Sequence, residues 1–359
     1  MTNLGYCVCL LAAASFTAGA GPTLYADVDV WGYAEPVPIY HFAKDWQAPL
    51  SGGSDGFLYE RHRLGMRWAA WEMARISQRI YQVEPSRGAT RLYHRVKNEL
   101  PFRPGEEFGL ELQVRHVAMH GLQLGRRFSG PGERFVIQPA LNLWQANSLL
   151  DGRISGSAVA QSDTQFEYRL ALDYFYTEDK LLDRRVSRPQ GRGASLDVAL
   201  SYALNERWYI KLRAQDLLGR IEWQDAPFTA GSGQSDNREF DADGFVRFNP
   251  TFSGREGRRD FSQRLPPRGQ AVLGYTSGAA SFEAAVRITP MRLFPVASGT
   301  WQIRQDFSMG VDVFPVETAI GLHLNWKGLS LGYVSDALSH KDANYASLTL
   351  GFSWTPPLR

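Results

Sequence analysis

Residues 165–176 read QFEYRLALDYFY, and their alternation decides the fold. In an extended chain, successive side chains point to opposite faces. One face then carries Phe166, Tyr168, Leu170, Leu172, Tyr174 and Tyr176. The other carries Gln165, Glu167, Arg169, Ala171 and Asp173. A helix would scatter the same charges around its circumference. The segment therefore reads as a strand with an apolar medium on one side and water on the other.

The same period recurs outward along the chain. Phe108, Leu110, Leu112 and Val114 alternate with Gly109, Glu111, Gln113 and Arg115. Leu196, Val198, Leu200 and Tyr202 alternate with Ser195, Asp197, Ala199 and Ser201. Trp208, Ile210, Leu212 and Ala214 alternate with Tyr209, Lys211, Arg213 and Gln215. Phe282, Ala284, Val286 and Ile288 alternate with Glu283, Ala285, Arg287 and Thr289. Near the start, Leu64, Met66 and Trp68 alternate with Arg63, Gly65 and Arg67. Several of these runs extend to the roughly nine to eleven residues that a tilted membrane-crossing strand needs. Near the end, Ile320, Leu322, Leu324 and Trp326 lead through the tight turn Lys327-Gly328 into Leu329, Leu331 and Tyr333. Ala346, Leu348, Leu350, Phe352 and Trp354 then share one face of a last strand.

Composition agrees with a barrel wall. Aromatic residues make up 13% of the 359 residues although charged residues make up 21%. Aromatic girdles and lipid-facing residues sharing strands with a polar interior produce that combination. Residues 1–26 carry no charge, have an apolar core over 4–16, and offer small-residue exits after Ala20 and after Ala26. They read as a signal peptide for export. Cys7 and Cys9 both fall in this leader, so the mature chain has no thiol for a disulfide, a metal site or a nucleophile. Beyond the leader no run of 18 apolar residues remains, which excludes a helical span. A membrane protein of this composition must be a closed barrel.

The expected fold is an all-β transmembrane antiparallel barrel of about 14 strands, with 12 or 16 as alternatives and an even count as the rule. Candidate strands lie near 57–69, 73–83, 90–99, 108–120, 135–144, 153–161, 164–176, 193–203 and 206–217. Others lie near 243–253, 269–276, 280–289, 299–314, 318–326, 328–335 and 345–354. Residues 178–193, 225–243 and 253–269 read as charged loops outside the lipid. Residues 27–56, with Pro36, Pro38 and Pro49, read as an irregular N-terminal segment, either a lumen plug or surface coil, ahead of a barrel over 57–359.

With this leader, these strands and the final run Leu348-Thr349-Leu350-Gly351-Phe352-Ser353-Trp354, the chain resembles Gram-negative outer-membrane barrels as a class. The resemblance implies an outer-membrane location, contact with outer-membrane lipid and lipopolysaccharide, and insertion by the barrel-assembly machinery. That machinery reads a terminal aromatic residue, whereas Trp354 here stands five residues before the end. Locally, Tyr333-Val334-Ser335-Asp336 with Asn344 resembles the C-terminal region of lipid A 3-O-deacylases, whose His-x-Ser-Asn motif is catalytic. Tyr333 and Asp336 replace the His and the Asn, and a serine without its base is a poor nucleophile.

Candidate chemistry is sparse. His116 and His120 share a strand face but sit about 13 Å apart, too far to share a zinc ion. The string Gly328-Leu329-Ser330-Leu331-Gly332 continues a strand, whereas a nucleophile elbow needs a strand-to-helix turn. No nucleotide or zinc-protease motif is present, and the basic residues form no nucleic-acid stripe. No cofactor, metal or enzymatic activity is expected. The lumen-facing candidates are Arg63, Arg67, Glu111, Arg115, Glu167, Arg169, Asp173, Lys211, Arg213, Glu283, Arg287 and His323. Their mixed signs point to a channel or transporter for a small polar or amphipathic solute. The alternatives are a non-conducting barrel serving envelope assembly or surface-polysaccharide export with an envelope-protein partner, and a barrel-embedded lipid hydrolase using Ser335 or Ser330 with His340 or His323.

Overall fold

The computed structural model describes residues 21–179, 186, 189–235, 238–240, 246–248 and 251–356. The strands are β1 (Thr23–Ala34), β2 (Gly56–Trp68), β3 (Trp71–Pro85), β4 (Glu107–Arg126), the two-residue β5 (Phe128–Ser129), β6 (Phe135–Ala160), β7 (Phe166–Tyr176), β8 (Gly191–Ala203) and β9 (Trp208–Gln234). There follow β10 (Arg238–Phe240), β11 (Val246–Phe248), β12 (Thr251–Arg264), β13 (Arg268–Ser277), β14 (Ala280–Ile288), β15 (Leu293–Arg304), β16 (Phe307–Phe314), β17 (Ala319–Trp326), β18 (Leu329–Ser335) and β19 (Tyr345–Trp354). Two helices, α1 (Ile39–Lys44) and α2 (Arg87–Lys97), interrupt the series.

The sheet closes on itself. β1 pairs antiparallel with β2 on one side and with β19 on the other, from Leu24↔Trp354 to Tyr33↔Tyr345. β7 and β8 lie end to end along β6, and β12 and β13 lie end to end along β9, so each pair occupies one lane of the wall. Fourteen lanes result: β1, β2, β3, β4, β6, β7/β8, β9, β12/β13 and β14 to β19. Closure leaves no bare sheet edge in lipid.

The two ends differ. Two-residue turns at 69–70, 278–279, 305–306 and 327–328, and a four-residue turn at 204–207, gather at the end where β1 starts and β19 finishes. The opposite end carries residues 35–55 with α1, residues 86–106 with α2, and residues 336–344. Short turns face the periplasm and long loops face outward in barrels of this type. Outward-facing Leu322, Leu324, Leu331, Leu350 and Phe352 form an exposed apolar belt. Trp68, Trp71, Trp208, Trp301, Trp326 and Trp354 edge it near the short turns. So large a contiguous apolar surface is stable only against lipid, with indoles at the headgroup level.

Several expectations change. Residues 27–34 are the second half of the closing strand β1, not part of an irregular segment. Asp27 and Asp29 hid the strand character, but both point inward, where Asp27 meets Arg63 on β2. The remaining 35–55 meet α2 at the long-loop rim. His94 Nε2 lies 2.9 Å from the Ala48 carbonyl, and Asn98 donates to the Trp46 carbonyl at 2.8 Å. The leader falls on residues outside those described, except that an exit after Ala26 would cut β1 whereas one after Ala20 leaves it whole. The expected strand at 90–99 is helix α2, started by Ser86, whose Oγ accepts from Ala89 N at 3.1 Å. Expected strands 135–144 and 153–161 are one strand, β6, and 299–314 is the hairpin β15–β16.

Two expected loops contain strand as well. Residues 225–234 continue β9, and residues 251–264 form β12 against it. This part of the wall rises past the belt into water, where a strand needs no apolar outer face. Of the expected loop 178–193, residues 191–193 open β8, and residues 180–185, 187 and 188 lie outside the described residues.

Candidate functional site: the barrel interior

Side chains from strands that are not neighbours can meet only through the interior. Arg61 on β2 donates to Asp197 on β8 at 2.7 Å. Gln78 on β3 donates to Asp216 on β9 at 2.9 Å. Arg268 on β13 lies with its guanidinium carbon 3.5 Å from the centroid of the Tyr59 ring on β2. β2 is the second lane and β13 belongs to the eighth, so this contact nearly spans the ring of fourteen. These contacts bridge the lumen at this level.

The middle of the interior is a buried polar network. Arg268 also pairs with Asp216, which is fully buried. Ser195 Oγ donates to Asp216 Oδ1 at 3.0 Å and accepts from Trp144 Nε1 at 2.9 Å. Gln123 donates to Asp197 and to Asn142. Asp216 reaches inward because the β8–β9 ladder slips nearby and its own φ is +56°. A positive φ at a non-glycine residue is strained and persists only where surrounding contacts hold it.

Toward the short turns lies a second charged tier. Arg63 donates to Asp27 at 2.7 Å and stands 3.5 Å from Glu72. Glu72 also accepts from Arg67 at 3.3 Å, from Gln138 at 2.6 Å and from the Tyr25 hydroxyl at 2.5 Å. A cavity of about 90 Å³ separates the two tiers, lined among others by Arg61, Arg63, Arg67, Arg213, Gln123 and Asp197. On the facing wall, Lys211 and the Tyr209 hydroxyl both donate to Glu283, at 2.8 and 2.7 Å. His323 sits between Thr300, 2.9 Å from Nε2, and Asp312, 3.1 Å from Nδ1. A Cβ at Gly310 would lie 2.2 Å from that Nε2, so the imidazole fits only beside glycine.

Toward the long loops the interior turns aromatic. Trp31 lies 4.8 Å from Phe57, Tyr33 lies 5.0 Å from Phe294, and Phe314 lies 4.9 Å from Tyr345. Arg287 places its guanidinium 4.9 Å from the Trp31 ring and donates to the Tyr345 hydroxyl at 2.8 Å. Guanidinium over an indole is a favourable electrostatic contact that survives desolvation.

The remaining lumen-facing candidates lie higher, on the tall wall. Glu111 and Arg153 form an exposed pair at 3.7 Å. Asp173 lies 3.8 Å from Arg259, which rests over Phe175 and Phe228. Glu167 accepts from Gln161 at 3.1 Å, Arg169 is exposed, and Arg115 is half-buried. The twelve candidates are thus spread over three levels. Arg63, Arg67 and Arg213 line the polar cavity, and Lys211 meets Glu283. His323 stands with Asp312, and Arg287 lies in the aromatic layer. Sequence reading missed Asp216, Arg268 and Tyr59 as a group. The slipped register reverses parity at Asp216, and Tyr59 shows its partner only across the lumen. The outer apolar face also departs from expectation: Phe108 and Leu110 pack beneath α2 with Leu92 and Phe102, and Leu170 packs against that cluster.

The hydroxyl–imidazole–carboxylate series Thr300–His323–Asp312 has the distances of a nucleophile and its base. Yet the ladders run in register through Thr300, Asp312 and His323, so their backbone N–H groups are not gathered to hold an oxyanion. Ser335 Oγ bonds the backbone of Ala337, and among the described residues no imidazole bonds Ser330 or Ser335. Among the described residues no group of three or more acidic, His or Cys side chains could hold a metal.

No family model matches the chain, and no curated protein matches it. Solved barrels do. A TodX deltaS2S3 mutant monoaromatic hydrocarbon channel aligns over 94% of this chain and 90% of its own at 9% identity, with a TM-score of 0.44. The P. putida toluene transporter TodX aligns over 95% and 92% at 9% identity, with a TM-score of 0.41. The siderophore receptor PirA from Acinetobacter baumannii aligns over 94% and 81% at 7% identity, with a TM-score of 0.22. Likeness at this level carries no argument about activity. The closed ring, the apolar belt with its indole edge, and the asymmetry of turns and loops make this chain a multi-pass β-barrel of the Gram-negative outer membrane.

Proposed function

We propose that the barrel is an outer-membrane channel or transporter for a small polar or amphipathic solute. The observation that carries this reading is the mixed-charge interior around a small polar cavity. Arginines and carboxylates alternate there on every side, in a place where an apolar filling would hold a purely structural barrel more cheaply. A ring of one sign would select strongly between ions, whereas this mixture selects by hydrogen bonding. Because Arg61–Asp197 and Arg268–Tyr59 bridge the lumen, passage requires these contacts to part. Lipopolysaccharide around the belt and the barrel-assembly machinery at the last strand belong to the same reading.

The same bridging contacts favour a second reading, a non-conducting barrel whose tall wall and loops engage envelope partners. Planar-bilayer recording and liposome swelling separate the two. Under the transport reading, wild type passes current or solute intermittently, and Arg268→Ala raises the open fraction. If both forms migrate as folded barrels before boiling yet neither conducts nor admits solute, the transport reading fails.

A further inference from the structure

Arg61 and Arg268 are each about 5% exposed or less, yet each spends only Nη2 on a carboxylate. Nε and Nη1 of both guanidiniums are enclosed and have no hydrogen-bond partner among the described residues. Each pair of nitrogens carries three N–H bonds. The Tyr59 hydroxyl beside them is likewise without a partner. On the acceptor side the amide oxygens of Gln78 and Gln123 stand over in this neighbourhood. Enclosed donors of a charged group that find no acceptor are costly, and a native interior normally fills such a place with water, an ion or a ligand.

The place exists. Arg61 and Gln123 both line the cavity of about 90 Å³, which has room for several waters or for one small planar acid group. Four carboxylates border it: Asp27 and Glu72 lie against Arg63, Asp197 pairs with Arg61, and Asp29 stands beside them. Arg61 leaves three N–H groups unclaimed on this wall. Planar oxyanions match guanidinium N–H groups in direction and strength better than water does.

We infer that this cavity is a binding site for a carboxylate-bearing solute. The carboxylate oxygens accept from the unclaimed N–H groups of Arg61, and Arg268 with Tyr59 forms the adjoining wall. The inference deepens the transport reading by naming a solute class, but the binding itself does not depend on conduction.

The test uses the full-length folded barrel in detergent, titrated calorimetrically with sodium acetate and, at equal ionic strength, with sodium chloride. Acetate is expected to bind saturably, with chloride at least tenfold weaker. Arg61→Gln is expected to weaken acetate at least tenfold, and Arg75→Gln, on an exposed outward position of β3, to leave it unchanged. Should Arg61→Gln fail to fold, Gln123→Glu supplies an internal carboxylate to the same donors and is expected to abolish acetate binding in a folded barrel. No saturable acetate binding in wild type, chloride as tight as acetate, or undiminished acetate binding in a folded Arg61→Gln or Gln123→Glu protein overturns the site and leaves water as its filling. Acetate binding in a barrel that never conducts keeps the site and removes the transport reading. Conduction without acetate binding does the reverse.

Discussion

The wall has a short side and a tall side. From β16 to β18 the strands run 8, 8 and 7 residues, joined by two-residue turns on one end. On the opposite side β4, β6 and β9 run 20, 26 and 27 residues. The short side alternates without a break and spans little more than the lipid. The tall side contains the register shifts of the β4–β6, β8–β9 and β9–β12 ladders, the positive-φ residues Asp216 and Leu218, and two lanes built from two strands each, against one shift on the short side at the turn end of the β15–β16 ladder. It also carries polar or charged residues on its outer face, such as Gln145, Arg192 and Glu222. The lesson is that lipid enforces regularity. On β16 to β18 the outward positions within the belt are all apolar, and lipid requires every backbone group there to be paired inside the sheet. Above it, water satisfies both faces, and the strands are free to bulge, break and carry charge.

The largest test of this contrast lies where the two sides meet in the interior. Arg268→Ala leaves Asp216 buried without its guanidinium and is expected to cost about 3–5 kcal/mol. Adding Asp216→Asn should return much of that loss. Urea titration of the barrel in lipid vesicles measures both, and a double variant no better than the single one would show that the pair is not the source of the effect.

The next test compares outer faces directly. Leu322→Arg sits in the belt on the short side, 59% exposed to what is lipid in the membrane, and should cost ~2–4 kcal/mol of folding stability. Gln145→Arg on the outer face of the tall wall is a surface change and should stay within about 0.5 kcal/mol. Equal costs would mean that the tall wall also lies in lipid.

A smaller effect is expected at the tall side's helix. Ser86→Ala removes the N-cap of α2 and should destabilise that helix by about 1 kcal/mol. The loss should appear as faster amide exchange over 87–97, with no change in heat-modifiable migration of the barrel. Global unfolding in this variant would make α2 part of the wall's folding unit.

The smallest effect belongs to the 35–55 loop and pH. Burial, then repulsion from Glu35 and Glu84, raises the Asp55 carboxyl above its ordinary value of 3.8. An acid so shifted binds its proton more tightly in the folded loop. Its contribution is fully present below 3.8 and is lost as pH rises through the folded value. Asp45 runs the other way. The hydrogen bond from His41, helped by the Gln47 N–H, holds it below 3.8, so its contribution is present above 3.8 and lost on acidification. Amide protection factors of residues 51–55, with intrinsic exchange divided out, should therefore rise as pH falls toward 4, and those of 45–47 should not. Asp55→Asn should erase the first trend only.

How much could be read without coordinates follows the same division. The hairpin through Lys327-Gly328 and the last strand to Trp354 were legible residue by residue, because alternation runs through them without an exception. The total of fourteen was also legible, although particular strands were not. β1 was obscured by Asp27 and Asp29, whose charges face the interior, where Asp27 meets Arg63 on β2. Helix α2 alternates tolerably well as a strand, and only the Ser86 cap and its packing on Phe108 and Leu110 set it apart. β12 carries too many charges to pass as a strand by composition, yet it pairs with β9 from Gln234 to Arg220.

The sequence by itself determined a closed antiparallel barrel, the belt, and which faces of the regular strands look inward. The reason is that period-two burial is a local property of an extended chain. Only the tertiary structure decided what the interior does. Whether Arg61 meets Asp197, whether Arg268 crosses to Tyr59, and whether the lumen stands open depend on how a ring of fourteen lanes is shaped. No local period records which side chains a curved wall brings face to face.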